Sequence, residues 1–310
     1  MTQHQYYGHL GPVEDPQAFF QEHDYVICPD AVPEAAIDAM VEHYEAHIVP
    51  SDKKYARQST QLEVHDRSPN GGIINGLLDP HSYVQGVNGE FSQKILDLLD
   101  QSEAQSCLSE ISGRQEDFLL AQTMVFDQNT TRPHQDWIYL DSRPNGQMIA
   151  AWVALEDIHE DGIRFFVYPG SQNFKPKAQY TGERGTSAAY HEQFHQEVDE
   201  LLATGVYDIY APPLKKGSIF FWGSRLIHGS VEGTNPNRRR RSLASHFLPV
   251  GMRFGNLEQD IEIDVREHSP TLSYAFKAAH DDRFAAANAP APKGVSGLLR
   301  KVKSKLKGVA

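Results

Sequence analysis

Two residues with metal-binding side chains, His134 and Asp136, lie two positions apart in the stretch RPHQDWIYL, residues 132–140. We expect this stretch to form a strand, and residues i and i+2 of a strand point to the same face of a sheet. The two side chains would therefore converge on one point. That point is either a metal ion or an ion pair between the two residues.

A second histidine in a suitable place favours the metal. His228 follows the apolar stretch SIFFW, residues 218–222, where another strand could return beside the first. Two imidazoles and one carboxylate on one side of a metal leave three coordination positions open, which is the arrangement of non-haem Fe(II) oxygenases. The same ligand types also suit Mn and Zn, so they do not identify the metal.

A run of four arginines, residues 238–241, follows the second histidine and leads into the stretch SLASHFLP. In a strand, Arg240 and Ser242 would share one face, and Arg239 would lie on the other. A guanidinium group with a hydroxyl two residues further on is suited to hold a carboxylate inside a barrel. We therefore expect one arginine of the run to bind an anionic co-substrate, rather than the whole run to form a solvated or nucleic-acid-binding patch.

A competing motif lies in the stretch HEQFH, residues 191–195. It matches the H-E-x-x-H pattern of zinc peptidases, in which His191 and His195 would bind zinc and Glu192 would act as the base. The residues that follow lack the glycine and third histidine of the extended motif. We interpret HEQFH as the polar face of a helix, and keep a zinc peptidase using His191, Glu192 and His195 as an alternative.

The elements that must position these residues change character along the chain. Apolar spacing is mostly helical in residues 1–115, whereas short β-rich runs separated by turn residues fill 116–250 and predict a sandwich or jelly roll. An insert at about 173–215 contains a helical pattern and would form a lid over one end. We expect one catalytic domain over residues 1–283, followed at 284–310 by a linker and a basic amphipathic tail.

Composition limits the choice of partners and compartment. The formal net charge is −12, with 41 acidic and 29 basic residues, which argues against nucleic-acid binding. The basic segment 294–310 is typical either of weak contact with an anionic membrane or acidic partner, or of a frayed tail.

Two cysteines, Cys28 and Cys107, are too few for a disulfide framework and fit a reducing compartment. Since no apolar stretch approaches 18 residues and the N-terminus lacks a signal pattern, we expect a cytoplasmic protein.

Several motifs in a fixed order resemble the phytanoyl-CoA dioxygenase family. They are HQD at 134–136, WVALEDIHEDG at 152–162, YPGSQ at 168–172 and IHGS at 227–230 followed by arginines. The resemblance spans roughly residues 15–250 and is strongest from 118 to 248. It implies a mainly β protein with flanking helices around a double-stranded β-helix (jelly-roll, cupin-like) core, and an enzyme that uses Fe(II), 2-oxoglutarate and O2.

Carried over residue by residue, the resemblance implies a set of iron ligands and an anion-binding arginine. The ligands would be His134, Asp136 and His228. The arginine would bind the far carboxylate of 2-oxoglutarate. Counting along the chain gives Arg239, and aligning on the strand gives Arg240, which we prefer because the side-chain period fixes strand register.

Further contacts are expected around these groups. For the co-substrate they come from Gln122, Gln135 and Ser242. For the substrate they come from Trp137, Tyr139, Arg164 and Arg225.

The implied reaction is hydroxylation of an aliphatic C–H bond of a small molecule, coupled to oxidative decarboxylation of 2-oxoglutarate to succinate and CO2. Asp136 favours hydroxylation over halogenation, because a halogenase of this superfamily binds chloride where the carboxylate would lie. Nothing in the sequence selects the substrate. A non-catalytic metal-binding jelly-roll protein is the alternative from a different functional class.

Overall fold

The computed structural model describes residues 4–84, 86–114, 118–177 and 187–289. The expected basic tail at 294–310 lies outside these residues. The strands are β1 (Tyr6–Gly8), β2 (Gly11–Val13), β3 (Tyr25–Cys28), β4 (Tyr55–Ala56), β5 (Leu62–Glu63), β6 (Leu77–Leu78), β7 (Phe118–Phe126), β8 (Asp141–Arg143), β9 (Ile149–Ala154), β10 (Arg164–Val167), β11 (Ile219–Gly223), β12 (His228–Val231), β13 (Ser242–Pro249), β14 (Arg253–Gly255), β15 (Asp260–Ile261), β16 (Asp264–Glu267) and β17 (Ser273–Phe276). The α-helices are α1 (Pro16–His23), α2 (Glu34–His43), α3 (Gly86–Leu99), α4 (Ser102–Ser112), α5 (Ser187–Ala203) and α6 (Ala278–Ala287).

The main sheet carries the strands that build the site. Its order is β16-β17-β7-β13-β9-β11-β3-β1-β2, with β6 also paired to β7. Every residue of β9 and β13 is buried. Strands that are buried throughout need cover on both faces of the sheet.

Two different layers provide that cover. On one face, Ile37 of α2, Ile95 of α3 and Leu108 of α4 join sheet residues in the largest apolar cluster. On the other face, β10 and β12 form a small antiparallel sheet, and Phe165 of β10 packs with Trp222 of the main sheet at 4.8 Å between ring centroids. This arrangement confirms the expected mainly β, double-stranded β-helix core with flanking helices.

The N-terminal part is less helical than we expected for residues 1–115. Strands β1, β2 and β3 belong to the main sheet, where Tyr25–Cys28 pairs with β11. A buried apolar run of four residues such as YVIC cannot be assigned to a strand or a helix from periodicity alone. The helical prediction is therefore correct for α1 to α4 and wrong for these strands.

The two cysteines form a disulfide between β3 and α4. Cys28 and Cys107 are buried and bonded to each other although 79 residues separate them in the chain. Two cysteines are still too few for a disulfide framework, but this single bond differs from the free thiols that we expected in a reducing compartment. The count of cysteines could not reveal the pairing, because it depends on the packing of α4 against the sheet.

The C-terminal end of the described chain is held against the domain. Phe284 of α6 stacks near Tyr55 and Tyr83, with ring centroids 5.2 and 4.9 Å away. Since α6 continues to Ala287, the linker that we expected from residue 284 starts no earlier than the end of this helix.

The expected lid contains helix α5, which we call the lid helix. Its apolar face, with Phe194 and Val198, joins one buried cluster with Ile138 and Ile227. The lid helix therefore packs beside the segments that carry Asp136 and His228 of the predicted site. Among the described residues, no helix is long and apolar enough to cross a bilayer.

Candidate metal centre and co-substrate pocket

Backbone pairing brings the two predicted histidine ligands together. The amide of His134 donates to the carbonyl of His228 at 3.0 Å, and the reverse bond measures 2.9 Å. The strand predicted for residues 132–140 is wrong, because this contact is an isolated bridge and Asp136–Ile138 form a turn of 3-10 helix. That turn still directs the Asp136 carboxylate back toward the histidines.

The three side chains converge on one buried point. Asp136 Oδ1 lies 3.4 Å from the Nε2 atoms of both His134 and His228. Their exposed fractions are 9% for His134, 6% for Asp136 and 3% for His228. The structure thus places one oxygen and two nitrogens as a potential metal-binding group.

Hydrogen bonds on the far side of each ring orient these nitrogens. His134 Nδ1 lies 2.9 Å from the carbonyl of Arg132, and His228 Nδ1 lies 3.0 Å from the carbonyl of Leu226. A carbonyl only accepts, so each Nδ1 carries a hydrogen, and the neutral form of each ring then has its free lone pair on Nε2. Both free lone pairs are available on the side that faces Asp136.

The electrostatics keep Asp136 and His134 in the forms that bind a cation. Burial would raise the pKa of Asp136, but the neighbouring histidines His228, His134 and His246 hold that pKa well below its usual range. Burial, with a smaller effect of His228, lowers the pKa of His134. An ionised carboxylate and neutral imidazoles are what a divalent metal requires of its ligands. The donor set therefore fits Fe(II).

Arg240 lies inside the same cavity. It is 2% exposed, and it donates to the carbonyl of Asn129 at 2.7 Å and to the Ser230 hydroxyl at 2.9 Å. Burial lowers its pKa to about 10, so the guanidinium stays charged at neutral pH.

The other arginines of the run are paired with carboxylates. Arg238 contacts Asp161, Arg239 contacts Asp127 and Glu45, and Arg241 contacts Glu156 and Glu45. No ion pair within 4 Å involves Arg240 in the part of the chain that the structure describes. A buried cation without a counter-ion is unfavourable, so Arg240 is the member of the run that is suited to receive an anionic ligand.

The cavity reaches from the metal-binding group to Arg240. Phe126, Trp152, Phe165 and Trp222 form its apolar wall. Such a pocket, apolar with a few convergent polar groups, is typical of small-molecule sites.

The expected co-substrate contacts lie in different places. Ser242 is fully buried and its hydroxyl accepts from Arg240 at 3.4 Å. Gln122 lies on the same face of β7 as Met124, which lines the cavity, and its buried Oε1 has no partner in the described structure.

Gln135 does not face the cavity, which corrects our expectation. Its amide nitrogen donates to the carbonyls of Arg225 and Ser171, and its oxygen accepts from Trp137 Nε1 at 2.7 Å. The side chain follows the alternation of the backbone, so the residue between the two ligands points away from them.

The expected substrate contacts are mostly displaced from the cavity. Arg164 donates to the carbonyl of Ala211, Arg225 is exposed, and neither lines the cavity. Trp137 packs against Phe194 of the lid helix. Tyr139, 37% exposed, is nearer the metal-binding group, since its ring lies 5.8 Å from that of His134.

One ring nitrogen of each histidine in the HEQFH motif is already used. His195 Nε2 lies 2.5 Å from the Tyr139 hydroxyl, and His191 Nε2 lies 3.1 Å from the carbonyl of Ile138. Glu192 is exposed, and neither histidine belongs to a potential metal-binding group among the described residues. The peptidase alternative therefore has no metal site in the described structure.

Sequence reasoning missed two cavity residues next to Asp136. Trp222 donates from Nε1 to Asp136 Oδ2 at 2.9 Å, and His246 Nε2 lies 3.4 Å from the same oxygen. Trp222 ends an apolar run and looks like plain core. His246 could have been found, because strand alternation puts it on the face of Arg240 and Ser242.

Comparison with known proteins gives one family match and several structural matches. The family model of phytanoyl-CoA dioxygenase (PhyH) matches residues 20–241. The peroxisomal phytanoyl-CoA dioxygenase of Homo sapiens is 27% identical over 139 residues, which cover 43% of this chain and 38% of that protein. The match therefore spans less than half of the curated relative.

Among solved structures, EctD from S. alaskensis with 2-oxoglutarate and 5-hydroxyectoine gives a TM-score of 0.56 at 15% identity, covering 91% of this chain and 95% of that one. The epimerase SnoN from nogalamycin biosynthesis, in complex with Fe3+, alpha ketoglutarate and nogalamycin RO, gives 0.55 at 14% identity, covering 79% and 87%. At these identities the likeness shows the fold alone. The family match covers most of the chain, and this chain belongs to the phytanoyl-CoA dioxygenase family.

Proposed function

We propose that this protein is an Fe(II)- and 2-oxoglutarate-dependent dioxygenase that hydroxylates an aliphatic C–H bond of a small molecule, while 2-oxoglutarate is oxidatively decarboxylated to succinate and CO2. The observation that carries the proposal is Arg240, a buried cation without a carboxylate partner in the described structure, in the same cavity as His134, Asp136 and His228. The family to which the chain belongs consists of enzymes that use Fe(II), 2-oxoglutarate and O2.

The chain's own residues would divide the work as follows. His134 and His228 each present Nε2, and Asp136 presents Oδ1, so the three would hold iron on one side and leave the other positions open. Bound iron would supply the redox centre at which O2 is reduced, with two electrons from 2-oxoglutarate and two from the substrate.

Arg240 would fix the co-substrate at its far end. A carboxylate bound to the guanidinium gives a buried charge the counter-ion that it lacks, through charge-assisted hydrogen bonds. Ser230 and Ser242 already contact this guanidinium and hold its plane in place. Arg239 is unsuited to this role, because Asp127 binds it at 2.8 Å.

The apolar wall would keep water away from the reacting centre. Phe165 and Trp222 pack within 5.0 Å of each other between ring centroids, and Trp222 lies 5.0 Å from the ring of His228. A dry cavity strengthens the electrostatic interactions inside it and protects reactive species from side reactions. The matched structures contain chemically different small molecules, 5-hydroxyectoine and nogalamycin RO, so we transfer no individual substrate to this chain.

The test is O2-dependent formation of succinate from 2-oxoglutarate by protein reconstituted with Fe(II), alone and with pools of small molecules, with products analysed for the gain of one oxygen atom. His134→Ala and Arg240→Ala should remove turnover at low 2-oxoglutarate. Arg238→Ala is the matched control, because Arg238 belongs to the same run but pairs with Asp161 at the surface. Wild type that forms no more succinate than folded His134→Ala under every condition would refute the proposal.

A further inference from the structure

The two oxygens of the Asp136 carboxylate lie in different surroundings. Oδ1 is the atom near the two histidine Nε2 atoms. Oδ2 faces Trp222, whose indole nitrogen donates to it at 2.9 Å in a buried hydrogen bond. Oδ2 thus already accepts a hydrogen bond from the protein, whereas Oδ1 is left for a metal.

His246 is a second polar group beside Oδ2. It is 1% exposed and lines the cavity, and its Nε2 lies 3.4 Å from Asp136 Oδ2. Neither ring nitrogen has an aligned hydrogen-bond partner among the described residues. A neutral imidazole carries one N–H, and a buried N–H without an acceptor is unfavourable. A small rotation of the His246 ring would let its N–H donate to Asp136 Oδ2.

We propose that Trp222 and His246 both donate to Asp136 Oδ2 and act as positioning residues for this metal ligand. A carboxylate can bind a metal through one or both oxygens. Two donors on Oδ2 would keep Asp136 binding through Oδ1 alone, which preserves the open positions that 2-oxoglutarate and O2 require. This inference rests on the proposed function, and we call the pair the Asp136 clamp.

The test measures Fe(II) affinity by anaerobic titration of metal-free protein, without 2-oxoglutarate and without turnover. Trp222→Phe keeps an aromatic ring but removes the N–H, and we expect about 10- to 100-fold weaker binding, the usual effect of losing an outer partner of a ligand. His246→Phe should weaken binding as well, and His246→Gln, which retains an N–H donor, should restore most of the affinity.

The matched control is Trp152→Phe. Trp152 also lines the cavity, but its buried indole nitrogen has no hydrogen-bond partner in the described structure. Its loss should leave Fe(II) affinity within about twofold of wild type, since no ligand contact is removed. Because both clamp residues act on one oxygen, Trp222→Phe and His246→Phe together should cost less than the product of their separate effects.

A second readout separates positioning from a general loss of structure. The visible charge-transfer band of the Fe(II)–2-oxoglutarate chelate should shift in Trp222→Phe and His246→Phe, and stay in place in Arg238→Ala, whose side chain pairs with Asp161 at the surface. If Trp222→Phe does not fold, the comparison of His246→Phe with His246→Gln decides the question. Fe(II) affinities equal to that of Trp152→Phe would overturn the clamp while leaving the proposed function intact. Wild type that binds no Fe(II) would overturn both.

Discussion

Two short histidine motifs, HQD at 134–136 and HEQFH at 191–195, lie close together in the folded protein and use their ring nitrogens in opposite ways. In the first, a backbone carbonyl accepts from Nδ1 of His134, which leaves Nε2 free to face Asp136. In the second, the Nε2 atoms of His191 and His195 contact the carbonyl of Ile138 and the hydroxyl of Tyr139. A motif is thus a metal site only if the fold keeps its lone pairs free and brings a third ligand, here His228 from β12.

The largest expected effect is on the first motif. His134→Ala or Asp136→Ala should reduce turnover of 2-oxoglutarate by about 100-fold or more, which exceeds the usual loss from an outer partner, since the metal loses a direct ligand. Turnover and bound iron are measured on the same samples. His191→Ala serves as the comparison, and an equal loss of iron from that variant would contradict the distinction between the motifs.

A smaller effect is expected at the far end of the cavity. Arg240→Ala should weaken 2-oxoglutarate binding by about 3 kcal/mol, roughly a hundredfold, as for the loss of one partner of a buried charge pair. Fe(II) binding in the absence of 2-oxoglutarate should change little. The affinity is measured by calorimetry with Arg238→Ala as control, and equal affinities for the two variants would remove Arg240 from the co-substrate site.

The second motif should affect how the free energy of unfolding changes in acid. Burial, with smaller contributions from Arg132 and His134, lowers the pKa of His195 to about 4. Between pH 6.5 and 4 the unfolded chain binds a proton here that the folded chain does not, so stability falls as the pH falls through this window. The contribution is about 2 kcal/mol between pH 7.5 and pH 5.

His195→Gln should remove this contribution. Denaturant unfolding of metal-free protein at both pH values would show a smaller loss of unfolding free energy in the variant than in wild type. Identical losses in the two proteins would mean that His195 takes up its proton in the folded state.

The smallest effect is expected for His191→Ala. It removes one hydrogen bond to the carbonyl of Ile138, so the free energy of unfolding should fall by about 1 kcal/mol. Iron content and turnover should match wild type. A loss of bound metal would revive the zinc interpretation of HEQFH.

In the β-rich region, the direction in which side chains point could be predicted from the sequence better than the local backbone conformation. Strand alternation placed Arg240 and Ser242 on one face and Arg239 on the other. In the structure Arg240 lines the cavity and contacts Ser242, whereas Arg239 pairs with Asp127. The same reasoning assumed a strand through Asp136, where the chain instead forms a 3-10 turn. The three side chains still converge, because the bridge holds His134 beside His228 and the turn directs the Asp136 carboxylate back toward both.

What the sequence could not predict depends on contacts between distant segments. Trp222 resembles any aromatic core residue until β11 is placed beside Asp136, 86 positions earlier in the chain. The partners of Arg239, Gln135 and His195 likewise come from other elements. The disulfide between Cys28 and Cys107 depends on the packing of α4 against β3, which no local pattern records.

The most direct measurement of the central claim is an anaerobic titration of metal-free protein with Fe(II) and 2-oxoglutarate, followed by visible absorption. We expect a weak charge-transfer band from the chelate in wild type and in His191→Ala, no band in His134→Ala, and a need for about a hundredfold more 2-oxoglutarate in Arg240→Ala. The absence of a band in folded wild-type protein, or a band that disappears with His191→Ala and persists with His134→Ala, would contradict the account.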